Sequence, residues 1–220
     1  MTPNAWSATL LLALAPWAAT AAPGPDNTGV DGNGTPLALD AVDPHYRIVS
    51  PSVFSDAYVK NESAGYPIGP GGWESDNDTS AWIVPSLSLF FADVPGVTDL
   101  ITYRTTFDLS GYAASTGRID GRWAADDTAM EIRLNGVVVP GVPHGGYTPF
   151  LDFSILSGFV SGINTLEFDT RSTLSPTGLR VEMTSVFAPV PEPAAALLGL
   201  AGLLAVGATV RLQRARTSGM

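Results

Sequence analysis

The stretch Leu100-Ile-Thr-Tyr-Arg-Thr-Thr-Phe-Asp-Leu109 decides the fold class. Ile101, Tyr103, Thr105, Phe107 and Leu109 fall on one face; Thr102, Arg104, Thr106 and Asp108 fall on the other. That two-residue period belongs to a half-buried strand, because successive side chains of extended backbone point to opposite sides. The pattern recurs on either side. Ile119, Gly121 and Trp123 alternate with Arg118, Asp120 and Arg122, and Met130, Ile132 and Leu134 alternate with Glu131, Arg133 and Asn135. Asn135-Gly136 is a tight-hairpin dipeptide, since both residues accept positive φ, and Val137, Val138 and Val139 supply the return strand. Further on, Leu166 and Phe168 alternate with Thr165, Glu167 and Asp169; Leu179, Val181 and Met183 alternate with Arg180, Glu182 and Thr184. No stretch between residues 22 and 188 sustains a helical period with caps. Turn residues recur at short spacing, which predicts an all-β fold, an antiparallel β-sandwich.

Composition narrows the function. The 220 residues include no Cys, so disulfide scaffolds, thiol nucleophiles and Cys-ligated metal sites are excluded. A net charge of −10 argues against nucleic acid, which needs clustered Lys and Arg. Two His leave little for His-based metal chemistry. There is no G-x-S-x-G elbow, H-E-x-x-H or phosphate-cradling glycine loop, and a non-enzymatic role is expected.

The two ends read as attachments. An apolar core over 10–15 and the small-residue ending Ala19-Thr20-Ala21 have the pattern of a secretory signal peptide over 1–21, without a basic residue before the core. At the other end, Pro191-Glu192-Pro193 precedes an uncharged run over 194–210 and then Arg211, Arg214 and Arg216. Seventeen helical residues would span about 25 Å, close to a hydrocarbon core of about 30 Å. Flanking Arg can snorkel to the interface and place that end in the cytoplasm. The body, 22–188, is then expected outside.

This ordered tail, 189–220, resembles the PEP-CTERM sorting signal: a Pro-Glu-Pro motif, a short transmembrane helix and an Arg-rich end. The resemblance implies an exosortase-like membrane enzyme as partner. It also implies a Gram-negative host that makes exopolysaccharide, and an inner-membrane-anchored precursor destined for the cell surface or extracellular matrix. A second resemblance runs over about 80 residues, from 103 to 183. Phe107-Asp108-Leu109, the block from Asp126 and Asp127 to Leu134-Asn135-Gly136, and Ser161-Gly162-Ile163-Asn164-Thr165-Leu166 are similar to elements of galactose-binding-domain-like jelly rolls. This implies a jelly-roll sandwich and a fold in which sugar binding is common, without assigning a sugar to this chain.

Candidate chemistry centres on the Gly-, Pro- and Asp-rich loop over 62–80, long for a compact domain. Trp73 lies in it beside Asp76, Asn77 and Asp78, an aromatic face for a pyranose with oxygens for its hydroxyls. A hydrophobic plug that anchors the loop is the competing role for Trp73. Trp82, next to Ile83 and Val84, completes the possible sugar-binding set Trp73, Asp76, Asp78 and Trp82, although its neighbours suit a core position; Trp123 reads as core. His144-Gly-Gly-Tyr147 reads as a simple loop. Asp31-Gly-Asn33-Gly-Thr35 has the oxygen spacing of a calcium loop but lacks the sixth-position Gly and twelfth-position Glu, so turn chemistry explains it. No cofactor is expected; Asp126 and Asp127 are where a structural calcium could sit. Glu167, Asp169 and Glu182 read as a solvated sheet face. The leading functional expectation is binding of extracellular polysaccharide. A structural surface or biofilm-matrix protein is the alternative, and a hydrolase with paired carboxylates is the less favoured third.

Overall fold

The computed structural model describes residues 24–89, 100–173 and 176–190. The proposed signal peptide (1–21), the Pro191-Glu192-Pro193 motif, the apolar run and the terminal arginines lie outside them. Among the described residues the chain is all-β, with ten strands and one 3-10 turn at Glu62–Ala64. The strands are β1 (Val42–Ser50), β2 (Asp56–Lys60), β3 (Trp82–Val84), β4 (Leu100–Asp108), β5 (Tyr112–Asp126), β6 (Thr128–Leu134), β7 (Val137–Val138), β8 (Leu151–Ile155), β9 (Ile163–Arg171) and β10 (Gly178–Pro189). They form one sheet in the order β7-β6-β9-β4-β1-β2-β3-β10-β5-β8, and every neighbouring pair is antiparallel.

The sheet curls over one core. Trp123 on β5 and Phe153 on β8 bring their rings to 6.0 and 6.3 Å from Phe168 on β9, although five or more strands separate them in the order. Curling of this kind follows from the right-handed twist of strands and buries one face of nearly every strand at once. The inward residues of β4 behave as their alternation predicts: Ile101, Tyr103, Thr105, Phe107 and Leu109 are all buried. So do Ile119 and Trp123 on β5, Leu166 and Phe168 on β9, and Leu179 and Val181 on β10. On β6 the alternation slips. Ala129 and Ile132 are buried and Met130 is not, because the register against β9 shifts between Ala129 and Glu131. A bulge adds one residue to a strand, so a strict two-residue count fails across it.

The Asn135-Gly136 hairpin forms as expected, with φ of 52° and 79°, and returns Val137 and Val138 against Leu134 and Arg133. The lead-in before β1 lies along β10. Thr28 N–H donates to the Val181 carbonyl (3.1 Å), Val181 N–H donates to Thr28 Oγ1 (3.0 Å), and Met183 N–H donates to Asn27 Oδ1 (2.6 Å). It covers the stretch of β10 that the three-residue β3 is too short to pair. Asp31 accepts the N–H groups of Asn33 and Thr35, the local turn chemistry expected of that motif.

Candidate functional site

The 62–80 loop is anchored from end to end. Its start is a 3-10 turn capped by Asn61, whose side chain accepts the Ser63 N–H. Glu62 and Asp76 then bridge the loop reciprocally: Glu62 N–H donates to Asp76 Oδ2 (2.7 Å) and Asp76 N–H to Glu62 Oε1 (3.2 Å). Asn77 closes it by accepting the N–H groups of Thr79 and Ser80. Asp78 is exposed.

Trp73 does not present a face to solvent. Its side chain is buried at 2% exposure, its ring centroid lies 4.4 Å from that of Trp82, and its Nε1–H donates to Asp126 Oδ2 at 2.7 Å. Gly178 lets the backbone of β10 approach it; a Cβ there would fall 2.8 Å from Trp73 Cη2. Trp82 is fully buried and its Nε1–H donates to the Glu74 carbonyl (2.9 Å). The two indoles, with Ile68, Val84, Leu89 and Ala124, form a second apolar cluster beneath the loop. Enclosed rings cannot stack on a pyranose, so the expectation of a Trp73–Trp82 sugar platform is corrected: Trp73 is the hydrophobic plug, and of the residues grouped with it only the loop carboxylates reach the surface. Sequence proximity put acidic residues beside Trp73, but the partner the indole uses is Asp126, 53 residues away.

Arg180 fastens the loop to the sheet. It is fully buried, its Nε donates to Ser80 Oγ (2.8 Å), and its guanidinium reaches the carbonyls of Glu74, Ser75 and Ser80 at 2.7–3.1 Å. Burial lowers its pKa while Glu182 opposes that shift. Glu182 accepts from Asn77, Ser80 and Arg122, and Arg122 packs over the Phe150 ring at 4.6 Å. Burial works against the Glu182 carboxylate, but these donors hold it below its ordinary pKa.

The carboxylates read as a solvated face are in fact buried and paired. Glu167 is 7% exposed and Asp169 is 3% exposed. Glu167 takes hydrogen bonds from Arg104 (2.6 and 2.9 Å) and Arg133 (3.0 Å), while Asp169 takes one from Thr102 (2.7 Å) and pairs with Arg133. Alternation told which face these residues occupy, but it could not tell that arginines on β4 and β6 would lie across them.

Asp126 and Asp127 are adjacent but differently committed. Burial pushes the Asp126 carboxyl up to about 7, the Trp73 hydrogen bond opposes this, and the neighbouring Asp127 adds to it. Asp127 Oδ2 accepts from both the N–H and the hydroxyl of Thr173. Among the described residues no group of three or more His, Asp or Glu side chains is arranged to hold a metal ion. A shallow groove on β8, β5 and β10 faces solvent, lined by Asp120, Arg122, Asp152, Glu182, Met183 and Thr184. Asp120 in it accepts from Arg118 and from Ser154.

No protein-family model, curated protein or solved structure matches the chain.

Proposed function

We propose that this chain is an exported surface protein with a non-enzymatic, structural role. In this reading the 194–210 run with Arg211, Arg214 and Arg216 holds it at the membrane, an exosortase-like enzyme acts at Pro191-Glu192-Pro193, and the curled sheet is a jelly-roll sandwich displayed in a surface coat or polysaccharide matrix. The observation that carries the structural role is the anchoring of the 62–80 loop. Trp73, Trp82, Arg180 and Glu182, the side chains best suited to grip a ligand, are all engaged in binding the loop to the sheet. Cell fractionation tests the tether: the full chain should sediment with membranes, and deletion of 191–220 should release it. Release of the intact chain by high salt alone would defeat the tether.

The groove that presents Asp120, Arg122 and Asp152 to solvent favours a second reading, polysaccharide binding. Its carboxylates and guanidinium suit sugar hydroxyls, and Phe150 beneath Arg122 supplies an apolar neighbour. Affinity electrophoresis of the full chain through the producing cell's exopolysaccharide decides between the two. Retardation lost in Asp152→Ala supports binding; unaltered mobility supports the structural role.

A further inference from the structure

We infer that the end of the domain from which the chain leaves at Val190 is a lipid-docking surface, on which the folded part rests against the bilayer its tail enters. The inference deepens the tethered reading above and rests on it.

Four pieces of chain meet at this end and are stapled together. Asn135 at the β6–β7 turn donates to the Gly158 carbonyl (3.0 Å) and to Asn164 Oδ1 (2.9 Å). Asn164, fully buried at the start of β9, accepts the Val160 N–H (2.9 Å) and donates to the carbonyls of Val160 (2.7 Å) and Gly162 (2.9 Å). Leu109 N–H, at the β4–β5 turn, donates to the Gly162 carbonyl (2.9 Å). Val190 N–H, where the chain exits, donates to the Gly111 carbonyl (2.8 Å). The β4–β5 turn, the β6–β7 turn, the β8–β9 connection and the exit therefore form one rim. Phe107, Phe159 and Phe187 pack beneath it with centroids 5.1–6.4 Å apart, so the rim has a firm apolar floor.

Exposed apolar side chains gather on the rim. Val137, Val138, Leu156, Val160, Ile163 and Val190 are between 48% and 70% exposed. Val137, Val138 and Leu156 line a single groove. The connecting residues 109–111, 135–136 and 156–162 contain no Asp, Glu, Lys or Arg, in a chain of net charge −10; at the rim's edge the exposed Asp108, opposite Ile163, turns its carboxylate into the β4–β5 turn by accepting the Ser110 N–H (2.8 Å). Single exposed apolar residues are ordinary on protein surfaces, whereas a group of them on one hydrogen-bonded rim marks something that covers it.

The length of chain beyond the exit selects lipid. Only Pro191-Glu192-Pro193 separates Val190 from the apolar run, and three residues reach at most about 11 Å. With 194–210 in the bilayer, the rim lies at the membrane surface. The run itself has no polar face, so it cannot cover the rim without exposing its own far side to water. The rim carries no basic residue on its connections, so the docking is apolar and not a charge attraction to anionic headgroups.

The test uses the full chain reconstituted in phosphatidylcholine vesicles. Its lack of Cys allows single labelled variants Val137→Cys, Leu156→Cys and Ile163→Cys, each carrying an environment-sensitive fluorophore. Val53→Cys is the reference: it is exposed, and it lies beyond β1 at the opposite end of β4. Flotation of each sample reads tail insertion independently. The expected result is several-fold stronger quenching by a lipid-borne quencher at 137, 156 and 163 than at 53, unchanged when phosphatidylserine replaces part of the phosphatidylcholine. Vesicles that float with the protein while all three probes stay as open to aqueous iodide as Val53→Cys would overturn the docking and leave the tether intact. Probes hidden from both quenchers would also overturn it, showing protein cover by a second copy or the tail. Protein that does not float at all would overturn the tether and the docking together.

Discussion

The Trp73 indole N–H and the Asp126 carboxylate meet at 2.7 Å in a site from which water is largely excluded. An acidic group so placed binds its proton more tightly folded than unfolded. With a folded pKa of about 7 against an ordinary 3.8, Asp126 lowers stability progressively as pH rises from about 4 to about 7. Below that window its contribution is fully present; above it, the contribution is lost. Asp126→Asn keeps an acceptor for Trp73 and removes the titration. The parent's melting temperature minus the variant's should fall steadily as pH rises from about 4 to about 7. A flat difference would mean that the carboxyl titrates in the ordinary range.

Trp73 is expected to behave as core. Trp73→Ala should cost about 3–5 kcal/mol, because it opens a cavity against Trp82 and strands the buried Asp126 oxygen. Urea denaturation measures this. A variant as stable as the parent would return Trp73 to the surface and revive a stacking role.

Arg180 holds three loop carbonyls and one hydroxyl from a fully buried position. Arg180→Met takes the guanidinium from the Ser75 and Ser80 carbonyls, while Glu74 keeps the Trp82 N–H, an effect of about 3 kcal/mol. The local consequence is sharper than the global one. Limited proteolysis should cut within 62–80 in the variant and elsewhere, or not at all, in the parent.

Tyr103 lies in the core with its hydroxyl buried and without a hydrogen-bond partner among the described residues. Burial drives its pKa upward. Tyr103→Phe removes an unpaired polar atom without changing shape, so stability should be unchanged or higher by about 1 kcal/mol. Differential scanning calorimetry on the two proteins decides it; a clear loss would show that the hydroxyl has a partner.

The facing of residues in β4, β5, β9 and β10 was legible because one face of each strand meets a common core, whereas on β9 and β10 the opposite face is buried as well, under ion pairs and the 62–80 loop. At β6 a single inserted residue broke the count. The hairpin at Asn135-Gly136 was legible because its backbone demands positive φ. The loop's role was only half legible. Gly, Pro and Asp marked it as irregular, but its anchors are Arg180 and Asp126, more than fifty residues from Trp73 or Ser80. Local sequence carries turn chemistry; it carries no record of which distant side chain will neutralise a row of carbonyls. Glu167 and Asp169 show the same limit, since their partners Arg104 and Arg133 come from two other strands.

The position of β10 has a consequence for the order in which the molecule can be completed. This last strand is inserted between β3 and β5 and also receives the lead-in at Asn27 and Thr28, so its neighbours come from the beginning and the middle of the chain. A polypeptide that emerges amino end first presents nine strands before the one that joins them. Until β10 arrives, the seven strands from β7 to β3 have no seam with the β5–β8 pair, and Thr28 has no Val181 to bind. Closure is therefore a late, long-range event, slow by the entropy of bringing together segments about 150 residues apart, and any truncation short of Thr184 should leave an open sheet with adhesive edges.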